Sequence, residues 1–206
     1  RGVLFLDEFP EFHRDVLESL RQPIEEGKIT ISRAKNTFTF PSRFMLIGAC
    51  NPCPCGYYNS PEKTCSCSPS QIAMYRRKLS GPLMDRIDIF IEVPAIKYEK
   101  LISHAPENQS KSIKERIEKT RHIQKERFKG DAILVNAEMT LPCIKKYCSH
   151  DESSQNLLKK YVDSGKLSAR GYHRILKVAR TIADLARSEN IQQEHVAEAL
   201  MYRLKD

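Results

Sequence analysis

The sequence predicts an α/β unit followed by an all-helical region, and three patterns support this prediction. Continuous apolar runs at 3–6 and 44–49 are typical of buried parallel strands. Between them, residues 28–40 alternate apolar and polar side chains around a polar turn, which predicts a β-hairpin. Further along the chain helical periodicity largely replaces the strand patterns. We therefore expect an α/β core over residues 1–95 and a helical domain over residues 96–206.

The elements of the first unit follow from local patterns. His13–Ile24 has apolar residues at helical spacing, and Gly27 after it is a common helix stop. The hairpin strands are predicted at Lys28–Ile31 and Thr37–Phe40. Ser32–Asn36 forms the predicted tip of the hairpin.

A third strand and three helices complete the prediction. Ile89–Val93 is an apolar run closed by Pro94, which indicates a strand. Ser168 has the side chain of a helix N-cap. The predicted helices are Ser112–Phe128, Ala169–Arg187 and Glu194–Tyr202.

The charge is positive and unevenly distributed. The net charge is +8; residues 1–96 contain 12 basic and 11 acidic side chains, and residues 97–206 contain 22 and 15. A basic half favours an anionic partner such as nucleic acid or ATP, although a solvated helix face explains such a charge run equally simply. No apolar run approaches the roughly 20 residues that span a bilayer, so we expect no membrane partner and a cytoplasmic location. Arg1 at the start of a strand suggests a fragment of a longer protein.

Two acids follow the first apolar run. A strand ending in Asp7 and Glu8 presents two carboxylates at the carboxyl edge of the sheet, where open α/β sheets bind ligands. Asp7 would hold the Mg²⁺ of a bound nucleotide, and Glu8 would orient and deprotonate the attacking water. Many buried strands end in an acid for no catalytic reason, so this pattern by itself is ambiguous.

Three further polar residues strengthen the nucleotide interpretation. Asn51 follows the second apolar run and can position the same water. Arg86 precedes the predicted third strand, as expected for an arginine that reaches a neighbouring subunit's γ-phosphate. Arg170 begins a predicted helix. Each has an alternative: a turn residue, a surface ion pair and a solvent-facing helix start, respectively.

Residues 52–69 are rich in Pro, Cys, Gly and Ser and predict a small loop or knob. The knob contains four of the seven cysteines: Cys53, Cys55, Cys65 and Cys67. Four thiolates on one loop suit a tetrahedral structural Zn²⁺ site, although the C-x-C spacing is less typical than C-x₂-C. A reduced, metal-free loop is the alternative.

The two acids, the three polar residues after them and the cysteine knob resemble those of the AAA+ ATPases, in the magnesium-chelatase-like branch that includes the ComM/YifB family. The strings GVLFLDEF, NPCPCG and SARGYHRILKVARTIADL carry the resemblance, which extends over nearly the whole chain. It implies the C-terminal part of a P-loop NTPase core from the Walker B strand onward, then a helical lid. It assigns Asp7 and Glu8 to Walker B, Asn51 to sensor 1, Arg86 to the arginine finger and Arg170 to sensor 2.

The resemblance also implies a cofactor, an assembly and a substrate. The intact protein would be a hexameric ring that hydrolyses ATP with Mg²⁺ and moves along DNA, driving branch migration during natural transformation. Arg33 and Lys35, at the predicted hairpin tip, are the candidate DNA contacts, because basic hairpins can follow phosphates without reading sequence. A solvated basic turn is the alternative.

Two other functions fit the same residues. One is the ATPase subunit of a magnesium chelatase, whose ring remodels a partner that inserts Mg²⁺ into a porphyrin; the cysteine-rich knob favours the ComM-like branch over it. The other is a non-enzymatic, zinc-bearing module that binds nucleic acid. That module would bind DNA without nucleotide and in a salt-sensitive manner.

The sequence contains no GxxxxGK[ST] segment, which cradles the phosphates in P-loop enzymes. We therefore expect the purified 206-residue chain to be unable to hydrolyse ATP by itself. Phosphate release that rises with ATP concentration and saturates would contradict this prediction.

Overall fold

The structure is a computed structural model, and it describes residues 2–33, 36–61, 63–79, 83–94 and 109–203. The chain divides into two compact units, Arg1–Ile87 and Asp88–Asp206. The first contains all the described strands, and the second is helical, so the predicted fold class is confirmed. The boundary at residue 95 stays a prediction, because residues 95–108 lie outside the described part.

The elements are numbered in chain order. The strands are β1 Gly2–Leu6, β2 Lys28–Arg33, β3 Asn36–Pro41 and β4 Phe44–Gly48. The helices are α1 Arg14–Ser19, α2 Arg21–Glu26, α3 Pro69–Lys78, α4 Gln109–Arg127, α5 Leu141–Tyr147, α6 Glu152–Asp163, α7 Ala169–Leu185 and α8 Gln193–Met201. Short 3₁₀ turns lie at Phe9–Glu11, Met84–Arg86 and Asn136–Glu138. Within the described ranges no helix has both the length and the apolar character that crossing a membrane requires.

β1 and β4 form a parallel pair in the first unit. Gly2 lies opposite Phe44 and Leu6 lies opposite Gly48, so the two strands end at the same edge. The connection between them contains α1, α2 and the hairpin, because parallel neighbours require a crossover rather than a tight turn. The two apolar runs in the sequence are therefore parallel strands, as predicted, and they are neighbours. They are not buried as predicted, since Val3, Phe5 and Met45 are 63%, 57% and 53% exposed.

The hairpin is an antiparallel ladder of β2 and β3. Its register runs from Lys28 opposite Pro41 to Arg33 opposite Asn36. Gly27 before it has φ +64°, a left-handed conformation that glycine adopts without the steric cost of a side chain. This conformation ends α2 and lets the chain turn directly into β2.

Two predictions about the first part of the chain were wrong in detail. The helix predicted at His13–Ile24 is two helices that meet at Leu20. Pro23 has no N–H to donate to the carbonyl of Ser19, so a continuous helical ladder is not available there.

The third strand predicted at Ile89–Val93 is not formed. No residue of 87–94 belongs to a strand, and Ile91 and Val93 are 70% and 84% exposed. A strand requires a paired neighbour, and the four described strands pair only with one another. The Phe90 N–H donates instead to the carbonyl of Tyr202 at 2.8 Å.

The core of the first unit is small and lies beside the carboxyl ends of β1 and β4. Phe9, Leu17 and Leu83 are its buried members. Phe9 packs on Gly48, where a Cβ would lie 3.1 Å from the Phe9 ring. A larger residue at 48 would therefore displace the side chain that follows the two acids.

The helical unit has the larger core, centred on α7. Its apolar face is buried by α8 and by the segments before it, as the helical periodicity predicts. The buried members on α7 are Ile175, Leu176, Ala179 and Ala183. Ser168 caps the helix, as predicted, by accepting a hydrogen bond from the Gly171 N–H at 3.1 Å.

A charged network crosses the interior of this unit at Asp184, which is 1% exposed. Its carboxylate accepts from Arg127 Nη1 at 2.7 Å, Asn136 Nδ2 at 2.8 Å and Arg180 Nε at 3.1 Å. Arg180 also donates to the backbone carbonyls of Ser188 and Glu189. Buried charges are tolerated when they are paired and hydrogen-bonded, and here α4, α7 and the turn at Asn136 are joined by them.

Replacing Asp184 by Ala should lower the free energy of unfolding by about 3–5 kcal/mol, because two guanidinium groups would lose their buried counter-ion. Chemical denaturation followed by circular dichroism measures this loss. Asp163→Ala, at an exposed position on α6, is the matched control and should change stability little. Equal stability of the two variants would contradict the prediction.

Candidate nucleotide edge and cysteine knob

The two acids lie directly after β1, beside the end of β4. The Ala49 N–H donates to the Leu6 carbonyl, and the Phe9 N–H donates to the Ala49 carbonyl, both at 2.9 Å. These bonds continue the β1–β4 contact past the strand ends. Asp7, Glu8 and Asn51 are thus at the same edge of the sheet, and all three are exposed.

The backbone between the acids is unusual. Glu8 has φ +49° and ψ +42°, a left-handed conformation that is uncommon for a residue other than glycine. Its N–H donates to Asp7 Oδ1 at 2.9 Å, and the buried Phe9 anchors the residue that follows. Such conformations recur at functional sites, where surrounding structure holds them. Exposed carboxylate oxygens are also the ligands that Mg²⁺ prefers.

Arg86, the predicted arginine finger, is buried in the first unit and is paired with a carboxylate of the same chain. Its side chain is only 6% exposed, and its Nε donates to Glu25 Oε2 at 3.0 Å, with Nη2 bonded to the same oxygen. Glu25 belongs to α2 of the same chain. No local pattern in the sequence predicts this pair, because 61 residues separate its members.

Arg170 lies in the helical unit, at the second position of α7, and is exposed. The other four predicted nucleotide residues lie in the first unit. Within α7, the Nδ1 atom of His173 is buried and accepts or donates no hydrogen bond to a described residue.

Arg33 occupies the last pair of the hairpin ladder, opposite Asn36, and is exposed. Lys35, the other candidate DNA contact, lies outside the described residues. The strands of the hairpin are exposed along their full length. One face has hydroxyl pairs, with Thr30 Oγ1 3.3 Å from Thr39 Oγ1, so the ladder is supported by side chains as well as by backbone.

The knob brings together the four predicted cysteines. The Sγ atom of Cys53 is 3.4 Å from that of Cys55 and 3.7 Å from that of Cys65, and Cys55 and Cys65 are 3.5 Å apart. All four ligand atoms, including that of Cys67, lie within 4.8 Å of one another. None of the four is in a disulfide.

This arrangement fits a tetrahedral metal site. A tetrahedron with metal–sulfur bonds of about 2.3 Å has edges of about 3.8 Å, close to the observed sulfur separations. Cys53 is fully buried, and the other three thiols are half-buried. The donor set is all sulfur, which selects zinc over magnesium or calcium.

The thiols of the knob differ strongly in acidity. The Tyr57 backbone amide beside Cys55, helped by the Ser66 amide and neighbouring thiols, lowers the pKa of Cys55 to about 5. The Cys67 amide opposes a raised pKa at Cys65, but burial and the other thiols outweigh it and raise the pKa to about 12. One thiolate therefore forms readily, and its negative charge disfavours the next.

A well-capped helix follows the knob directly. Ser68 is the N-cap of α3, and it exchanges hydrogen bonds with Gln71 in a capping box. Sequence reasoning missed this helix, although the Ser-Pro-Ser-Gln string is a readable start signal. The cap fixes the chain immediately after Cys67, and so it limits the freedom of the cysteine loop.

Comparison with known families matches two consecutive parts of the chain to one family. A family model described as magnesium chelatase, subunit ChlI, matches residues 1–101, and a second, described as the C-terminal part of the same subunit, matches residues 107–203. The chain belongs to the magnesium-chelatase-like family.

Individual relatives refine this assignment. The chain is 45% identical to "Competence protein ComM" of Haemophilus influenzae, over 98% of this chain and 39% of that protein. It is 41% identical to "Uncharacterized protein YifB" of Salmonella typhimurium and 40% identical to its namesake in Escherichia coli, over 100% of this chain and 40% of each relative. The chain therefore spans about two fifths of the length of these relatives.

The acidity of Cys55 predicts selective labelling of the metal-free chain. At pH 7 iodoacetamide should alkylate Cys55 at least about 100-fold faster than Cys148, because only thiolates react. Burial raises the pKa of Cys148 to about 11, and its side chain is 3% exposed. Peptide mapping by mass spectrometry gives both rates, and that of Cys55 should fall as the pH drops through about 5. Equal alkylation rates at Cys55 and Cys148 would contradict the lowered pKa of Cys55.

Proposed function

We propose that the chain is part of an ATP-hydrolysing ring motor that acts on DNA. One observation carries the proposal: Asp7 and Glu8 follow β1, and Asn51 lies three residues after β4, at the carboxyl edge of these two adjacent parallel strands. Parallel sheets bind ligands at this edge. An acid pair next to a polar amide suits phosphoryl transfer, where positioning and charge neutralisation supply most of the catalysis.

Each residue has a defined task in this proposal. Asp7 holds the Mg²⁺ that neutralises charge on the nucleotide's phosphate oxygens. Glu8 orients the attacking water and accepts its proton, and Asn51 holds that water from the neighbouring strand. Arg86 and Arg170 stabilise negative charge on the transferred phosphoryl group as arginine finger and sensor 2.

The rest of the motor belongs to the longer protein. The relatives are about two and a half times as long as this chain, as their coverage of 39–40% implies. A phosphate-binding loop outside these residues completes the nucleotide site, and the assembled form is a hexameric ring. The word "competence" in the name of the Haemophilus relative supports a role in handling incoming DNA.

A DNA-stimulated ATPase measurement tests the proposal in a full-length protein that contains these residues. Branched DNA should stimulate ATP turnover. A variant with Arg33→Ala and Lys35→Ala should lose this stimulation and keep the basal rate, because only the contact with phosphates is removed. Glu8→Gln should lower turnover about 100-fold or more with and without DNA.

Lys28→Ala is the matched control for the hairpin variant. Lys28 is exposed and equally charged, but it lies at the opposite end of the same ladder. The Lys28→Ala variant should retain the stimulation of ATP turnover by branched DNA. Unchanged stimulation in the Arg33/Lys35 variant, or equal loss in the Lys28 variant, would contradict DNA contact at the tip.

A second candidate function has support from the names of the two family models. Both are described as subunit ChlI of magnesium chelatase. In that case the same nucleotide residues drive a partner that inserts Mg²⁺ into a porphyrin. Metal insertion by the full-length protein with chelatase partner subunits, together with an ATPase indifferent to DNA, would favour this candidate over the first.

We also propose that the knob holds a structural Zn²⁺ through Cys53, Cys55, Cys65 and Cys67. The close approach of four sulfur atoms supports it. A divalent cation stabilises neighbouring thiolates that otherwise repel one another. Its role is to close the loop that leaves β4 and enters α3.

The zinc proposal is tested by metal analysis of the 206-residue chain purified without chelator. It should contain about one zinc per molecule, and Co²⁺ should replace the zinc with the thiolate-to-metal absorption of a tetrahedral site. A variant with Cys65→Ser and Cys67→Ser should lose the metal. Cys143→Ser, a thiol in α5, should retain it. Metal-free wild-type chain that also fails to take up Co²⁺ would exclude the site.

A further inference from the structure

Among the candidate nucleotide residues of the first unit, Arg86 forms a buried ion pair with Glu25. Two guanidinium nitrogens of Arg86 bond to one carboxylate oxygen, with Nε at 3.0 Å. The Arg86 side chain is 6% exposed, and the Glu25 side chain is 41% exposed. A charge this far from water is stable only while it is paired, so Glu25 contributes to keeping Arg86 inside the unit.

The buried position does not suit the task assigned to Arg86. An arginine that acts on a nucleotide in a neighbouring subunit must extend its guanidinium beyond the surface of its own unit. Arg86 follows Leu83, a member of the small core, in the same short turn. The guanidinium therefore needs a second, extended position, and the bond to Glu25 opposes it.

Glu25 is also close in sequence to the hairpin. It lies in the last turn of α2, which ends at Gly27, and β2 begins at Lys28. The carbonyl of Gly27 accepts a hydrogen bond from the Ser42 N–H at 2.7 Å, directly after β3. Both strands of the hairpin are thus attached at the end of α2, so that a force on the hairpin acts first on the helix carrying Glu25.

We propose that Glu25 acts as a latch for Arg86. Its carboxylate keeps the Arg86 guanidinium buried in the first unit until a ligand that binds the hairpin moves α2. The inference rests on the proposed function, since it concerns Arg86 as an arginine finger. The ligand is a polyanion bound on the hairpin strands at the end where Arg33 is exposed. The latch keeps ATP turnover low in its absence, because only the fraction of molecules with Arg86 extended is competent.

The first experiment measures the withdrawn state in the 206-residue chain itself. Solvent exchange of the Arg86 Nε proton is followed by NMR in the wild type and in Glu25→Ala and Glu26→Ala variants. Glu26 is the matched control, because it is the adjacent, exposed glutamate of α2 and contacts Lys28 at 3.7 Å. Glu25→Ala should speed exchange by about five-fold or more, and Glu26→Ala should not change it.

Glu25→Gln is the second variant, and it distinguishes loss of the ion pair from misfolding of the chain. It keeps the shape and one acceptor oxygen but removes the charge, so exchange should lie between the wild-type rate and the Glu25→Ala rate. Wild-type exchange in both Glu25 variants would overturn the latch.

The second experiment measures turnover in a full-length protein that contains these residues. Without DNA, Glu25→Ala should raise ATP turnover about five-fold or more, and added branched DNA should then stimulate little. A Glu25→Ala, Arg86→Ala double variant should fall to the level of Arg86→Ala alone, because the gain acts through Arg86. Glu26→Ala should resemble the wild type.

Two results would overturn the inference. A loss of turnover in Glu25→Ala equal to that in Arg86→Ala would mean that Glu25 supports Arg86 in its working position. A gain that survives removal of Arg86 would place the effect elsewhere. Absence of turnover in the wild-type full-length protein would contradict the proposed function instead, and the exchange rate of Arg86 would still decide whether Glu25 holds it.

Discussion

The parallel pairing of β1 with β4 is the contact on which the candidate nucleotide site depends. Its register places Leu6 beside Gly48, and two further backbone bonds carry the contact to Phe9 and Ala49. The acids consequently follow one strand and the amide follows the other at the same edge of the pair. Gly48 contributes by its small size, since Phe9 occupies the space that a side chain would need. A shifted register would separate these groups, because each step along a strand moves a residue by about 3.3 Å.

Two segments of the chain adjoin this edge of the β1–β4 pair. After β4 the chain passes Asn51 and enters the cysteine knob, which ends at the capped helix α3. Before β4, the crossover contains α2 and the hairpin, which are joined through Gly27. Metal binding in the knob and ligand binding on the hairpin would each constrain a segment that leads to this edge.

The helical unit is stabilised differently. Its apolar core is extensive, yet a charged network with Asp184 at its centre joins α4, α7 and the turn at Asn136. The pairs in this network are nearly excluded from water, so each depends on its partner. A buried network of this kind favours one arrangement of the helices, because another packing would leave charges unpaired. Arg170, at the exposed start of α7, is on the same helix as Arg180 and Asp184 of this network.

The sequence alone determined the strand patterns, the hairpin, the cap at Ser168 and the cysteine cluster, because each depends on residues close together in the chain. Pro23, which divides the first helix, was also readable in the sequence, but a prediction from apolar periodicity alone overlooked it. Apolar periodicity could not show that Ile89–Val93 lacks a strand partner. The Arg86–Glu25 pair and the Asp184 network were equally invisible, since their members lie far apart in sequence. Only the tertiary structure decided these, because burial and pairing of charges depend on which distant segments pack together.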